Sequence, residues 1–168
     1  YVFERQWGRL KRVCREKGIS VIGDVPVYVS HDSADVWAHR ELFDLDPTGR
    51  AKKVAGVPPD YFSESGQRWG NPVYRWDMLE KEGFWWWIRR LSNALSLFDM
   101  VRIDHFRGLV KFWSIPSSER SAIDGEWVEA SPDAFFLRVK ENFPAMPFIA
   151  EDLGYITPDV KDYIRRLG

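Results

Sequence analysis

Val101-Arg102-Ile103-Asp104-His105-Phe106-Arg107-Gly108 is the stretch on which the fold turns. The apolar residues at 100–103 read as a strand, and a carboxylate stands at its exit. Side chains alternate along a strand, so Arg102 and Asp104 face the same way. Ile149-Ala150-Glu151-Asp152-Leu153-Gly154 repeats the arrangement after the apolar run 147–150. Carboxylates at the exits of successive parallel strands are where α/β barrels carry their chemistry. Two of them supply a nucleophile and a proton donor, the equipment for breaking and remaking a glycosidic bond.

Outward from these two strands, helices and strands alternate. Phe3, Trp7, Leu10 and Cys14 have helical spacing within 2–17, and Gly18 ends that helix. Residues 19–25 read as a buried strand closed by Pro26. Residues 30–80 lack sustained periodicity and are rich in Asp, Gly, Pro and aromatics. A loop this long is usually functional, and short helical turns are expected in it, one of them after Asp32-Ser33. Phe84, Trp87, Ile88, Leu91, Leu95 and Phe98 form an amphipathic stripe over 84–98. Residues 107–132 read as loop. A helix over 133–143 carries Phe136, Val139 and Phe143, and Thr157-Pro158 opens the last helix, with Thr as cap and Pro at the first position.

Such alternation implies a parallel sheet with right-handed crossovers. The expected fold class is α/β, a partial (β/α)8 TIM barrel with a long inserted loop region. Three strands cannot close a barrel, so both sheet edges are expected to be open. A full barrel takes about 250 residues. The 168-residue chain, which begins without Met inside a helix, is therefore expected to be a piece of something larger.

Composition narrows the function classes. Lys+Arg number 24 and Asp+Glu 25, with no basic stripe, which argues against a nucleic-acid partner. No run of about 18 apolar residues is present, so no membrane helix is expected. The single cysteine, Cys14, lies on the apolar stripe of the first helix and reads as a core residue. A cytoplasmic location is expected. Nine Trp, eleven Phe and six Tyr give many rings able to stack on the C–H faces of sugars, although most aromatics fill cores.

A guanidinium beside a carboxylate favours its ionised form, so Arg102 suits Asp104 as a nucleophile. The alternative is a structural pair within one strand. Glu151 follows a distinctly apolar run, and burial favours the protonated carboxyl that a general acid needs. Its alternative is a capping or loop acid at a strand end. Asp24, in Ile22-Gly23-Asp24-Val25-Pro26, is a third carboxylate at a strand exit, expected to support a sugar or Arg102. His105 is placed either to bond a substrate hydroxyl or as a buried structural histidine. His31 and His39 with Asp32 and Asp35 have a spacing that matches no zinc signature. Gly66-Gln67-Arg68-Trp69-Gly70 lacks the Lys-Ser/Thr of a phosphate loop.

Six motifs in order then resemble one family. They are Gly23-Asp24-Val25-Pro26, Asp32-Ser33-Ala34-Asp35-Val36-Trp37, Gly56-Val57-Pro58-Pro59-Asp60-Tyr61-Phe62, Gly66-Gln67-Arg68-Trp69-Gly70-Asn71-Pro72, Arg102 to Gly108, and Ala150 to Gly154. Together they resemble amylomaltase, the bacterial 4-alpha-glucanotransferase or disproportionating enzyme, glycoside hydrolase family 77 of the α-amylase clan. The likeness covers essentially the whole chain. It implies that Asp104 is the nucleophile, Glu151 the general acid/base and Arg102 the residue that orients the nucleophile. It implies that Asp24 lies near the sugar subsites, that Tyr61 and Phe62 belong to a mobile aromatic loop, and that Trp69 and Asn71 continue it. It also implies a third essential carboxylate, in a His-Asp pair, beyond residue 168. Ala130-Ser131-Pro132 departs from a glycine-containing turn common in the family.

The resulting expectation is that 1–168 forms part of a catalytic barrel, about strands 3 to 5, with 30–80 an inserted substrate-contacting subdomain. The expected reaction is retaining transfer of α-1,4-glucan segments between maltooligosaccharides, without metal or organic cofactor. Expected partners are α-1,4-glucans, with no nucleic acid and no membrane, and further barrel strands or another chain at the open edges. Two other readings remain at this point: a non-catalytic glucan-binding fragment, and an α-amylase-clan hydrolase.

Overall fold

The computed structural model describes residues 1–153 and 157–167. In chain order the elements begin α1 (Val2–Glu16), β1 (Ile22–Pro26), α2 (Ala34–Ala38), β2 (Lys53–Val57) and β3 (Gln67–Pro72). They continue α3 (Trp76–Lys81), α4 (Trp85–Leu97), β4 (Met100–Asp104), β5 (Lys111–Pro116) and β6 (Glu126–Glu129). The last are α5 (Pro132–Asn142), β7 (Phe148–Ala150) and α6 (Pro158–Leu167). Single 3-10 turns sit at Arg40–Leu42 and Phe106–Leu109.

The expected parallel strands are present. β1, β4 and β7 form a three-stranded parallel sheet in sequence order, with Asp24 opposite Arg102 and Pro26 opposite Asp104. Val25, Val101 and Ile103 point to a face covered by helices and join the main core with Trp87, Leu91, Phe135 and Val139. Gly23 has no room for a side chain: a Cβ there would meet Cδ2 of Phe98 at 2.1 Å. The opposite face carries Ile22, Asp24, Met100, Arg102, Asp104 and Ile149, and its apolar members Ile22, Met100 and Ile149 are exposed. The expected buried strand 19–25 is corrected: the strand is Ile22–Pro26 and is buried on one side only, Ile19 is exposed before it, and the described chain lays no layer over the other face.

The reading of 30–80 and 107–132 as loop is corrected. They contribute β2, β3, β5 and β6, a four-stranded antiparallel sheet in the order β3-β2-β5-β6. The short runs Lys111-Phe112-Trp113-Ser114-Ile115 and Glu126-Trp127-Val128-Glu129 gain their order from cross-strand pairing rather than from local periodicity. The β2–β5 pairing joins the segment that follows β1 to the segment that follows β4. Val36, Leu42, Phe43, Val73, Tyr74, Trp76 and Leu79, all from 30–80, pack into the same core as the parallel sheet.

Helix α2 begins after Asp32-Ser33 as expected, with Ser33 Oγ accepting from the Val36 N–H at 3.2 Å. Helix α1 forms where expected but buries no residue. It is held by the Trp7 Nε1–H to Leu97 O bond (2.9 Å), an edge-on contact between Trp7 and Phe98, and a Lys11–Asp99 pair. Cys14 is accordingly half-buried rather than a core residue. No described helix is long and apolar enough to cross a membrane.

Candidate active site

The exits of β1, β4 and β7 bring Asp24, Arg102, Asp104 and Glu151 to one end of the parallel sheet. Arg102 is forked between two carboxylates. One guanidinium nitrogen donates to Asp24 Oδ1 at 2.8 Å and the other to Asp104 Oδ1 at 2.7 Å. The Asp24 bond, followed by the charges of Asp24 and Asp104, holds the guanidinium above its ordinary pKa. The planar fork bridges Asp24 of β1 and Asp104 of its own strand at once. Because one oxygen of Asp104 is held, its carboxylate plane is fixed while the group remains partly open to solvent.

Glu151 extends the ladder past β7, its N–H donating to Ile103 O at 3.1 Å. Its Oε2 accepts the main-chain N–H of His105 at 2.8 Å. The residue that follows the nucleophile candidate therefore grips the acid candidate. Gly154, the last residue of that motif, lies outside the described residues.

His105 itself is mostly buried. Its ring meets Trp69 edge-on at 4.7 Å and Tyr28 at 6.1 Å. Burial, and then the nearby Arg107 charge, push its pKa down to about 4, so the ring is neutral at ordinary pH. Nε2 is buried and has no hydrogen-bond partner among the described residues. His105 thus packs its ring against Trp69 and Tyr28 while bordering the cleft beside Glu151.

A cleft of about 570 Å³ opens beside Glu151 and His105. Trp69 and Gln67 from β3, Asp60 from the β2–β3 connection, and Trp113 and Trp127 from the second hairpin line it. Arg107 sits 3.8 Å over the Trp127 ring and is buried. Gln67, Trp113 and Trp127 lie on strands that local periodicity does not reveal, and Arg107 lies in the 3-10 turn after β4, so the sequence alone does not single them out. The one local hint is the short β-branched and aromatic runs bounded by turn residues, which names possible strands but not their partners. A separate void of about 170 Å³, walled by Leu91, Ile103, Phe135, Phe136 and Ile164, offers no titratable side chain.

Tyr61 and Phe62 stand 97% and 91% exposed at the tip between β2 and β3, meeting edge to face at 5.6 Å. The tip is braced. Asp60 Oδ1 accepts the N–H groups of Phe62 and Ser63, at 2.9 and 2.8 Å, and the Ala122 N–H donates to Ser65 O. A Cβ on Gly56 would lie 2.1 Å from Gln67 O, and one on Gly66 2.4 Å from Val57 O, so both are demanded by close strand approach. Within 57–74, Val73 and Tyr74 are core, and Asn71 donates its amide to Val29 O at 2.9 Å, fastening the exit of β1. His31 Nε2 is engaged with Gly49 O at 2.8 Å, and His39 pairs with Glu41 and meets the Trp85 ring edge-on.

A family model described as 4-alpha-glucanotransferase matches residues 1–168. The 4-alpha-glucanotransferase of Thermus thermophilus is 56% identical over 168 residues, which is 100% of this chain and 34% of that protein. The Aquifex aeolicus enzyme of the same name is 53% identical, covering 98% of this chain and 34% of its own. Among solved structures, the amylomaltase from Streptococcus agalactiae in complex with acarbose aligns with a TM-score of 0.95 at 42% identity. That alignment covers 99% of this chain and 34% of the other. The chain spans about a third of the length of these relatives.

Proposed function

The chain belongs to the 4-alpha-glucanotransferase family, and from that premise we propose that it carries the nucleophile and the acid/base of a retaining α-1,4-glucan transfer. β1, β4 and β7 are then three neighbouring strands, about the third to fifth, of a (β/α)8 barrel whose other strands complete both sheet edges. Their order and parallel pairing support this. The segment 30–80 is the substrate-contacting insertion, supported by the exposed Tyr61 and Phe62 and by Trp69 at the cleft. The free thiol of Cys14 is compatible with a reducing, cytoplasmic setting.

In the first half-reaction, Asp104 attacks the anomeric carbon of a bound glucan while Glu151 protonates the leaving glycosidic oxygen. A covalent β-glycosyl–Asp104 ester forms as the reducing-end fragment departs with the proton. In the second half-reaction, Glu151 takes the proton of an acceptor 4-hydroxyl, whose oxygen attacks the anomeric carbon and displaces the Asp104 carboxylate. Both steps balance without metal or organic cofactor. Arg102 aims one lone pair of Asp104 away from the reaction and leaves the other oxygen to attack. Trp69, Trp113 and Trp127 offer rings to acceptor sugars at the cleft.

The observation that carries this reading is the linked set Asp24–Arg102–Asp104 and His105 N–H–Glu151, which fixes two carboxylates at neighbouring strand exits. Maltotriose turnover by the protein that carries this chain tests it. Larger maltodextrins with release of glucose are expected. Net hydrolysis would favour the hydrolase reading, and binding without products the non-catalytic one.

A further inference from the structure

We propose that His105 is a positioning residue for Glu151: its wedged imidazole locks the left-handed turn that aims the main-chain N–H at the Glu151 carboxyl. The inference rests on the reading of Glu151 as acid/base. His105 has φ 56 and ψ 47, a left-handed conformation that residues other than glycine rarely adopt. The turn is needed because β4 ends at Asp104 and a 3-10 turn starts at Phe106, leaving one residue to reverse the chain. Three different elements trap the ring. Trp69 of β3 meets it at 4.7 Å, Tyr28 of the β1 exit at 6.1 Å, and a Cβ on Gly108 would approach its Cδ2 to 3.0 Å.

The ring borders the cleft beside Glu151, but its Nε2 is buried, so the role proposed for it runs through the peptide it anchors. That peptide joins the nucleophile to the residue whose N–H holds Glu151 Oε2 at 2.8 Å. The single turn at His105 therefore sets the spacing of both reacting carboxylates. When Glu151 has given up its proton, the N–H is the donor that receives its charge, and it fixes the rotamer in both half-reactions.

The test is a series at position 105, scored by kcat and KM for maltotriose and by turnover of an α-glycosyl fluoride, whose leaving group needs no proton. Asn tolerates the left-handed region. His105→Asn is expected to keep kcat within about fivefold. His105→Gly, which keeps the turn and loses the wedge, should fall by about tenfold. His105→Val, which resists the turn, should fall by about 100-fold on maltotriose, within the range ascribed to acid/base groups. KM should stay within about threefold throughout, and the Val variant should lose less than about tenfold on the fluoride. If the Val variant does not fold, His105→Ala replaces it and must fall below His105→Gly. Equal losses for Asn, Gly and Val with raised KM would mean that the ring touches substrate and would overturn the proposal. So would equal loss on both donors in a folded Val variant, or Ala matching Gly. Glu151→Gln is the control: wild-type maltotriose turnover in that variant would refute the acid/base reading itself, whatever the position-105 series shows.

Discussion

Acidification should unfold this protein partly through one imidazole. His105 is pushed down to about 4 by burial and then by the Arg107 charge. An unfolded histidine titrates near 6.5. The unfolded chain therefore binds this proton first as pH falls, and stability is lost on going down from about 6.5 towards 4. With these two values the single site contributes almost nothing at pH 7 and costs about 2 kcal/mol at pH 5, reaching about 3 kcal/mol near pH 4. The groups facing the ring do not reverse the sign. Arg107 repels the proton, Tyr28 and Trp69 are neutral, and Glu151 is engaged with the His105 main chain rather than its ring. Denaturant unfolding of wild type and His105→Asn at pH 7 and pH 5 isolates the effect, because other titrations cancel between the two proteins. Wild type should lose about 2 kcal/mol more than the variant between those pH values. Equal losses, or a His105 ring resonance titrating near 6.5 in the native protein, would refute the reasoning.

Three further outcomes follow from the proposed chemistry. Asp104→Asn should cut kcat by several orders of magnitude, and a 2-fluoro glycosyl donor should leave its label on Asp104, read by peptide mass spectrometry. A label on Asp24 would exchange the roles of the two carboxylates that Arg102 holds. Glu151→Gln should lose far more turnover on maltotriose than on an α-glycosyl fluoride, and kinetics that fall equally on both donors would count against a proton-donor role. Tyr61→Ala with Phe62→Ala should raise the acceptor KM and leave Tm unchanged within a degree or two, since both rings are exposed. A large drop in Tm would show that the tip supports the fold instead.

The parallel half of the fold was readable because its strands are short apolar runs ending in carboxylates, and its helices carry full apolar stripes. Arg102 and Asp104 were placed on one face by strand alternation alone, and their bond at 2.7 Å is its direct consequence. The antiparallel sheet was missed for a physical reason: Trp113 faces Trp127 and Val54 faces Ile115 only once distant segments meet. No window of local sequence contains that pairing energy. Cys14 and the stripe of α1 show the converse error. Helical spacing of Phe3, Leu10 and Cys14 predicts a face to be buried, but not what buries it, and within the described chain Phe3 and Leu10 are exposed and Cys14 only half-buried. Sequence leaves His105 between two roles because a histidine only weakly favours positive φ, and the left-handed turn at φ 56 comes from the folded chain.

The hydrogen bonds between β2 and β5 have a consequence for anyone who recombines these enzymes. The Tyr61–Phe62 tip looks like an exchangeable module, spliced in after one strand and free to be traded between homologues to alter acceptor choice. It is half of a joint structure. Its hairpin shares an internal edge with a hairpin that enters the chain at Lys111, well after Lys53, and Lys53 to Gly56 register against Pro116 to Trp113 across that seam. A chimera with breakpoints around the first hairpin alone imports one side of a seam without its mate. Mismatched side chains at Val54–Ile115 and under Gly56 would strain both inserts and, through Asn71 and the Arg107–Trp127 contact, both strand exits. Breakpoints that carry 53–72 and 111–129 as one inheritance keep the seam whole.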